Sequence, residues 1–242
     1  MSRLDQLLVE RGSFTSREKA RRTIMAGRVR VDGRLVDKPG SAVAADAKLE
    51  VVGPAEPFVS RGGRKLARAL DHFAVAVEGL VCLDAGASTG GFTDCLLQRG
   101  AERVYAIDVG YGQLDYGLRN DPRVVVMERT NARQLTPEDI PERCDLATFD
   151  LSFISLTKVV PAVARLVRSG GRLITLIKPQ FEVGKGRVGK GGVVRDDVLR
   201  KKVIVERIDD LEAIGLTCQG WIDSPITGAR GNLEALALFS KP

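Results

Sequence analysis

The sequence has 242 residues, 44% of them hydrophobic, enough apolar side chain for one large domain or for a full-sized domain carrying a small appendage. Lysine and arginine exceed aspartate and glutamate by 37 to 31, and residues 1–55 alone hold eleven basic and seven acidic side chains, four of the six net positive charges. A surplus of that sign suits a polyanion or an anionic membrane surface, but no apolar run approaches the roughly 18 residues of a membrane span, and charge interrupts Met1-Ser2-Arg3-Leu4-Asp5-Gln6 as a secretion signal. Cys82, Cys95, Cys144 and Cys218 are scattered without the paired spacing of a zinc site or a redox couple, so they read as reduced thiols with no metal.

Leu4, Leu7, Leu8 and Val9, then Ala20, Ile24 and Met25, recur at helical spacing in two segments divided by Gly12-Ser13-Phe14-Thr15. Ser16 is a cap for the second helix and Gly27 ends it; Val29, Val31, Leu35 and Val36 then flank Asp32-Gly33, a hairpin-turn signal. The second helix carries Arg17, Lys19, Arg21 and Arg22, and the hairpin adds Arg28 and Arg30, which gathers phosphate-binding groups at one junction. From Arg3-Leu4-Asp5 through Ser16-Arg17-Glu18-Lys19-Ala20 to Gly27-Arg28-Val29-Arg30-Val31-Asp32-Gly33, the segment resembles the RNA-binding module of ribosomal protein S-four. The resemblance implies RNA contact, with Arg3 among the contacting residues. The breaker-rich stretch Gly53-Pro54-Ala55-Glu56-Pro57 then marks a junction, so the expected organisation is a module over 1–55, a linker over 56–60 and a large domain over 61–242.

Beyond residue 60, apolar runs alternate with amphipathic helices, which predicts a mainly parallel sheet with crossover helices. Strands are expected near 80–85, 103–108, 123–127, 145–150, 172–178, 217–223 and 233–239, and helices near 61–73, 91–99, 156–168 and 197–214. The expected class is α/β, a seven-stranded Rossmann-like sheet beside a small α+β module, with ligands at the carboxyl ends of the strands.

Val81-Cys82-Leu83-Asp84-Ala85-Gly86-Ala87-Ser88-Thr89-Gly90-Gly91-Phe92-Thr93 runs from a buried strand through a small-residue turn into a helix, where backbone can approach a ligand closely. Asp108 ends the next strand about twenty residues later, the position of a carboxylate that accepts ribose hydroxyls. Three rival motifs fail on their own residues. Gly86-Ala87-Ser88-Thr89-Gly90 matches a hydrolase nucleophile elbow, but the one histidine, His72, precedes the serine and reads as a structural residue at a helix end. Gly184-Lys185-Gly186-Arg187-Val188-Gly189-Lys190 mimics a phosphate-binding loop, yet Gly191 stands where Ser or Thr is required. A nicotinamide dehydrogenase would need a different glycine spacing.

Asp150-Leu151-Ser152-Phe153-Ile154-Ser155-Leu156 follows the predicted fourth strand and Leu176-Ile177-Lys178-Pro179-Gln180-Phe181-Glu182 closes the fifth, so Asp150 and Lys178 should emerge on one edge facing the cofactor turn. Lys65, in Ser60-Arg61-Gly62-Gly63-Arg64-Lys65-Leu66, and Glu234, at the start of the last strand, add a second cation and a second anion. With the 84–93 turn, these motifs resemble the TlyA family, a branch of the FtsJ-like ribose methyltransferases whose members are also labelled haemolysins; the resemblance spans essentially the whole chain. It implies a cytoplasmic enzyme that uses S-adenosylmethionine to methylate cytidine ribose 2′-hydroxyls in ribosomal RNA or ribosomal subunits. It also implies a catalytic quartet of Lys65, Asp150, Lys178 and Glu234, and cofactor contacts from Gly86, Ser88, Gly90, Asp108 and Asn131. A ribose hydroxyl is a weak acid, so its attack needs a base poised near neutrality, for which Lys178 is the candidate. Arg61, Arg64 and Arg68, and the loop from Lys185 to Lys190, are expected to extend the phosphate track. A non-catalytic ribosome-assembly factor and a membrane-lytic protein are the competing expectations.

Overall fold

A computed structural model describes residues 1–14, 16–25, 27–52, 57–184, 188–189 and 191–242, with the side chains of all of these but Arg22 and Ala229. The chain forms two compact units, Met1–Ala55 and Glu56–Pro242. Residues 53–56, the last three positions of the expected module and the first of the expected 56–60 linker, lie outside the described residues.

In the smaller unit, β1 (Ser2–Arg3) leads into α1 (Leu4–Glu10), followed by α2 (Arg17–Met25), β2 (Val29–Val31), β3 (Arg34–Leu35), β4 (Ala42–Val43) and β5 (Leu49–Val51). The helical spacing read from the sequence has a physical result: Leu4, Leu7, Leu8, Ala20 and Ile24 bury against Val29, Val43 and Ala47 as one core. The Asp32-Gly33 turn has both residues at positive φ, 49° and 78°, the conformation that joins two twisted strands in a tight hairpin. Ser16 Oγ accepts from Lys19 N at 3.3 Å at the start of α2, and Gly27 (φ 66°) closes that helix.

The larger unit contains α3 (Gly62–His72), β6 (Val81–Ala85), α4 (Gly91–Gln98), β7 (Arg103–Ile107), α5 (Tyr116–Arg119), β8 (Val124–Met127), β9 (Cys144–Phe149), α6 (Val160–Ala164), β10 (Val167–Ile177), α7 (Pro179–Glu182), α8 (Asp197–Glu212), β11 (Thr217–Asp223) and β12 (Ala235–Ser240). Its seven-stranded sheet has the order β11-β12-β10-β9-β6-β7-β8. Pairing is parallel from β10 through β9, β6 and β7 to β8, whereas β12 runs antiparallel to both β10 and β11. Successive residues point to opposite faces: Leu83, Tyr105, Ile107, Ala147 and Phe149 enter one core, and Cys82, Val104, Ala106 and Leu146 the other.

Two expectations change in detail. The helix expected over 156–168 is broken into a 3-10 turn, Leu156–Lys158, and the short α6 with Pro161 in its first turn, which restricts what precedes it. β10 starts at Val167, five residues before the expected strand near 172, because a register shift between Val167 and Arg172 carries the Ser169-Gly170-Gly171 triplet across as a bulge. Residues 57–60 are fastened to the large unit: Asp94 Oδ2 accepts from Val59 N at 2.7 Å and Gln98 Nε2 donates to Pro57 O at 2.9 Å. His72 sits in the last turn of α3 with its ring edge-on to Phe73 at 4.9 Å.

Candidate active site

Parallel pairing brings the carboxyl ends of β6, β7, β9 and β10 to one edge of the sheet, where strand-end loops converge. β6 is buried along its whole length and ends in the turn Gly86–Gly90. Gly86 (φ 88°) is required on two counts: the left-handed backbone, and a Cβ that would stand 2.7 Å from the carbonyl oxygen of Asp150. The amides of Gly86 and Ala87 donate to Ile107 O at 2.8 and 3.0 Å, and Ser88 N donates to Asp108 Oδ2 at 2.8 Å. These bonds tie the turn to the end of β7. Beneath it Asp84, fully buried, accepts from Thr93 Oγ1 at 2.7 Å and Thr148 Oγ1 at 3.2 Å. Burial pushes its carboxyl up to about 7, the Thr93 hydrogen bond opposing and the neighbouring Asp150 charge adding to the rise.

Four charged side chains reach the same edge from four elements. Lys65 comes from α3, Asp150 follows β9, Lys178 follows β10 and Glu234 precedes β12. They meet as two ion pairs: Lys65 Nζ to Glu234 Oε2 at 2.5 Å and Lys178 Nζ to Asp150 Oδ1 at 2.6 Å. Lys178 also donates to Ser152 Oγ at 3.1 Å, and Gln180 Nε2 donates to Glu234 Oε1 at 3.2 Å. Both lysines are buried, and pairing offsets what would otherwise be a large desolvation cost. Gly228 lets backbone close on this group, since a Cβ there would lie 2.0 Å from Glu234 Oε1.

A cavity of about 480 Å³ opens on the quartet and on Gly86, Ala87, Ser88 and Thr89 of the turn, with Phe92, Phe153 and Phe181 as its aromatic wall. Its chemistry is therefore divided: small residues and amides on one side, two lysine–carboxylate pairs on the other. Lys178 spends two of its three ammonium donors on Asp150 and Ser152, which leaves one for a ligand.

The sequence-derived site residues separate in space. All four quartet members, Gly86 and Ser88 line the cavity; Gly90 (φ 95°) instead caps α4. Asp108 is half-buried beside the turn, its two oxygens accepting from Ser88 N and from Gly110 N at 2.7 Å. Asn131, also half-buried, caps a 3-10 turn by accepting from Arg133 N at 3.1 Å. Among the basic residues, Arg3 and Arg17 grip the buried Asp5 at 3.1 and 2.9 Å, and hold its carboxyl down at about 2. Arg28 Nε donates to Val52 O at 3.0 Å. Lys19, Arg21 and Arg30 are exposed, as are Arg61 and Arg68 on either side of half-buried Arg64; Arg61 lines the cavity. The side chain of Arg22 and residues 185–187 and 190 lie outside the described residues. Ser60, Ser152, Gln180 and Thr227 line the cavity without having been singled out from sequence; only their proximity to the quartet motifs hinted at them.

An FtsJ-like methyltransferase family model matches residues 58–241, and an S4 domain model matches residues 2–48. The chain is 53% identical over 234 residues to the 16S/23S rRNA (cytidine-2′-O)-methyltransferase TlyA of Mycobacterium tuberculosis, covering 96% of this chain and 87% of that protein. It is 44% identical to Hemolysin A of Brachyspira hyodysenteriae over 98% of this chain and 99% of that one. A solved structure from Streptococcus thermophilus, named as a hemolysin, superposes with a TM-score of 0.79 at 42% identity, covering 99% of this chain and 88% of that one.

Proposed function

Because the chain belongs to the FtsJ-like methyltransferases, in the branch that joins such a domain to an N-terminal S4 domain, we propose that it methylates cytidine ribose 2′-hydroxyls of ribosomal RNA in the cytoplasm, acting on the RNA or on ribosomal subunits. The observation that carries this reading is the pair of lysine–carboxylate contacts facing the glycine turn across one cavity.

S-adenosylmethionine, when bound, supplies a methyl group on a positively charged sulfur. The residues present fit such a group: a turn without side-chain obstruction at Gly86, hydroxyls at Ser88 and Thr89, and a carboxylate, Asp108, with lone pairs left after its two amide contacts. Gly86 and Ser88 would hold the cofactor, Gly90 fixing the turn that presents them, while Asp108 would accept its ribose hydroxyls and Asn131 would serve its adenine.

On the opposite wall, Lys178 in its uncharged form takes the proton of the 2′-hydroxyl on Nζ, with Asp150 and Ser152 fixing the direction of the amine. Lys65 and Glu234, braced by Gln180, hold the ribose. Placing these groups around one hydroxyl contributes through alignment as much as through proton transfer. Arg61 at the N-cap of α3 and Arg64 and Arg68 within it, with Lys19, Arg21 and Arg30 on the N-terminal unit, supply the phosphate contacts, which give affinity more than sequence choice.

The test is at Lys178. Lys178→Ala should lower single-turnover methyl transfer to ribosomal RNA by at least about 10²-fold, the scale of general-base loss, with RNA affinity nearly unchanged. Lys178→Arg should fail almost as badly, since a guanidinium keeps its proton at any working pH. An arginine variant with near-native rate and product on the ribose oxygen would transfer the base role to another group. The hemolysin names among relatives give a second reading, membrane lysis; dye release from liposomes at enzyme concentrations that fully methylate RNA would favour it.

A further inference from the structure

The segment that follows β10 holds the loop that follows β9 at two points. The first is within the site: Lys178 meets Asp150 at 2.6 Å and Ser152 at 3.1 Å. The second lies outside it. Glu182, the last residue of α7, turns back so that Oε2 accepts from Ser155 Oγ at 2.6 Å and Oε1 accepts from Leu156 N at 2.9 Å. Between the two points Phe153 adopts a left-handed φ of 63° and lies 90% exposed, its ring tilted against Phe181 at 5.0 Å. A left-handed phenylalanine is strained, and such a conformation persists only where the surroundings over-determine it.

Glu182 is an expensive residue for this place. Its side chain is 2% exposed, and among the described residues it pairs with Arg207 Nη1 at a long 3.7 Å, while that arginine also pairs with Asp210 at 2.8 Å. Burial pushes the Glu182 carboxyl up against the hydrogen bonds that favour its charge. An apolar side chain would fill the position without that penalty, but it would offer no acceptors. Two directed polar atoms are what Glu182 adds here, one for a hydroxyl and one for the otherwise unsatisfied first amide of the Leu156–Lys158 turn.

We infer that Glu182 is a positioning residue for methyl transfer: it anchors the far end of loop 150–156, and so sets the placement of Asp150 and Ser152 around the Lys178 amine. The inference rests on the reading of Lys178 as the reacting base. Glu182 itself touches neither cavity nor ligand groups and acts through the loop.

Glu182→Ala, Glu182→Gln, Ser155→Ala and Lys178→Ala are compared in single-turnover methyl transfer to ribosomal RNA, beside Kd for S-adenosylmethionine and Kd for RNA. Glutamine can accept from the Leu156 amide and donate to the Ser155 hydroxyl, so it keeps both contacts; alanine keeps neither. Glu182→Ala should slow the chemical step by about 10- to 100-fold, the cost of a small misplacement of reacting groups, with both Kd values within about twofold of the parent. Glu182→Gln should stay within about threefold, and Ser155→Ala, which removes one of the two Glu182 contacts together with the Ser155 contacts to Thr157, should fall between. If Glu182→Ala does not fold, the Ser155→Ala rate decides, and a parental value there overturns the inference. Equal losses in the Ala and Gln variants would overturn it too, as would weakening of cofactor binding in step with rate. A parental rate in Glu182→Ala beside a crippled Lys178→Ala sinks the inference and leaves the base intact; parental rates in both sink the base reading and the inference together.

Discussion

At the residue scale, the buried carboxyl of Asp84 beneath the cofactor turn ties folding to pH. Asp84 keeps its proton to about pH 7 when folded, against 3.8 for an ordinary aspartate, because burial penalises the anion more than Thr93 and Thr148 stabilise it. The sign follows from proton counting: between those two values the unfolded chain binds fewer protons than the folded one, so stability falls as pH rises through the window. Its contribution is complete below about pH 4, lost by about pH 7 and flat above; each tenfold in proton affinity corresponds to about 1.4 kcal/mol. Asp84→Asn should remove this slope, and urea unfolding from pH 4.5 to 7.5 should show the stability of the parent declining relative to the variant. Parallel profiles would mean that folded Asp84 is charged. Other site residues differ in how visible they are from sequence. Lys65, Asp150, Lys178 and Glu234 each stand in a short motif at a strand or helix end, and such ends converge in a parallel sheet. Ser152, Gln180 and Glu182 do not announce themselves, because side-chain direction in a loop depends on φ/ψ values, such as the 63° of Phe153, that no periodicity reports.

At the scale of elements, the turn between β6 and α4 is the piece on which the two walls of the cavity depend. Gly86 packs under the carbonyl of Asp150, so a methyl group at this position would press the cofactor turn away from the end of β9. Gly79 offers a control, having a similar φ of 73° but nothing within 4 Å of a Cβ. Gly79→Ala should cost about 1 kcal/mol through backbone strain alone. Gly86→Ala should cost more than that and weaken S-adenosylmethionine binding at least about tenfold, as calorimetry would measure. Equal effects of the two substitutions would show that close approach at Gly86 is unimportant. The buried parallel strands are legible as apolar runs with glycine turns, and β6, β7 and β9 begin and end near their expected positions. Elements fixed by tertiary contact are not: α5 and α7 each span a single turn, too short for a helical period to register, and the bulge in β10 presents as a break in the apolar run.

At the scale of the whole molecule, the cavity and the electropositive N-terminal unit are separate parts of the chain. Every residue lining the cavity lies between Ser60 and Glu234, whereas the unit Met1–Ala55 has its own core of Leu4, Leu7, Leu8, Ala20, Ile24 and Val29 and carries four of the six net positive charges. Within that unit the cations have divided duties. Arg3, Arg11 and Arg17, though exposed, brace the fold, the first and last by holding Asp5, and Arg11 by donating to Ala47 O and Ala45 O, while the exposed Lys19, Arg21 and Arg30 are the candidates for phosphate. Sequence reveals the number of cations but not this division, since the partner of Arg17 lies twelve residues earlier. Replacing Lys19, Arg21 and Arg30 together by alanine in the full chain should therefore leave Kd for S-adenosylmethionine and the single-turnover rate at saturating RNA unchanged. At subsaturating RNA the rate should fall by more than about tenfold, and the log–log slope of affinity against salt should become shallower by about 2–3, as expected for three lost phosphate contacts. Deletion of residues 1–55 should have the same signature in stronger form, abolishing methylation of ribosomal RNA while the remaining domain still binds cofactor. A triple variant with parental rate and salt slope would remove this face of the N-terminal unit from the RNA interface, and a truncated chain as fast as the full one under subsaturating conditions would remove the unit itself from recognition.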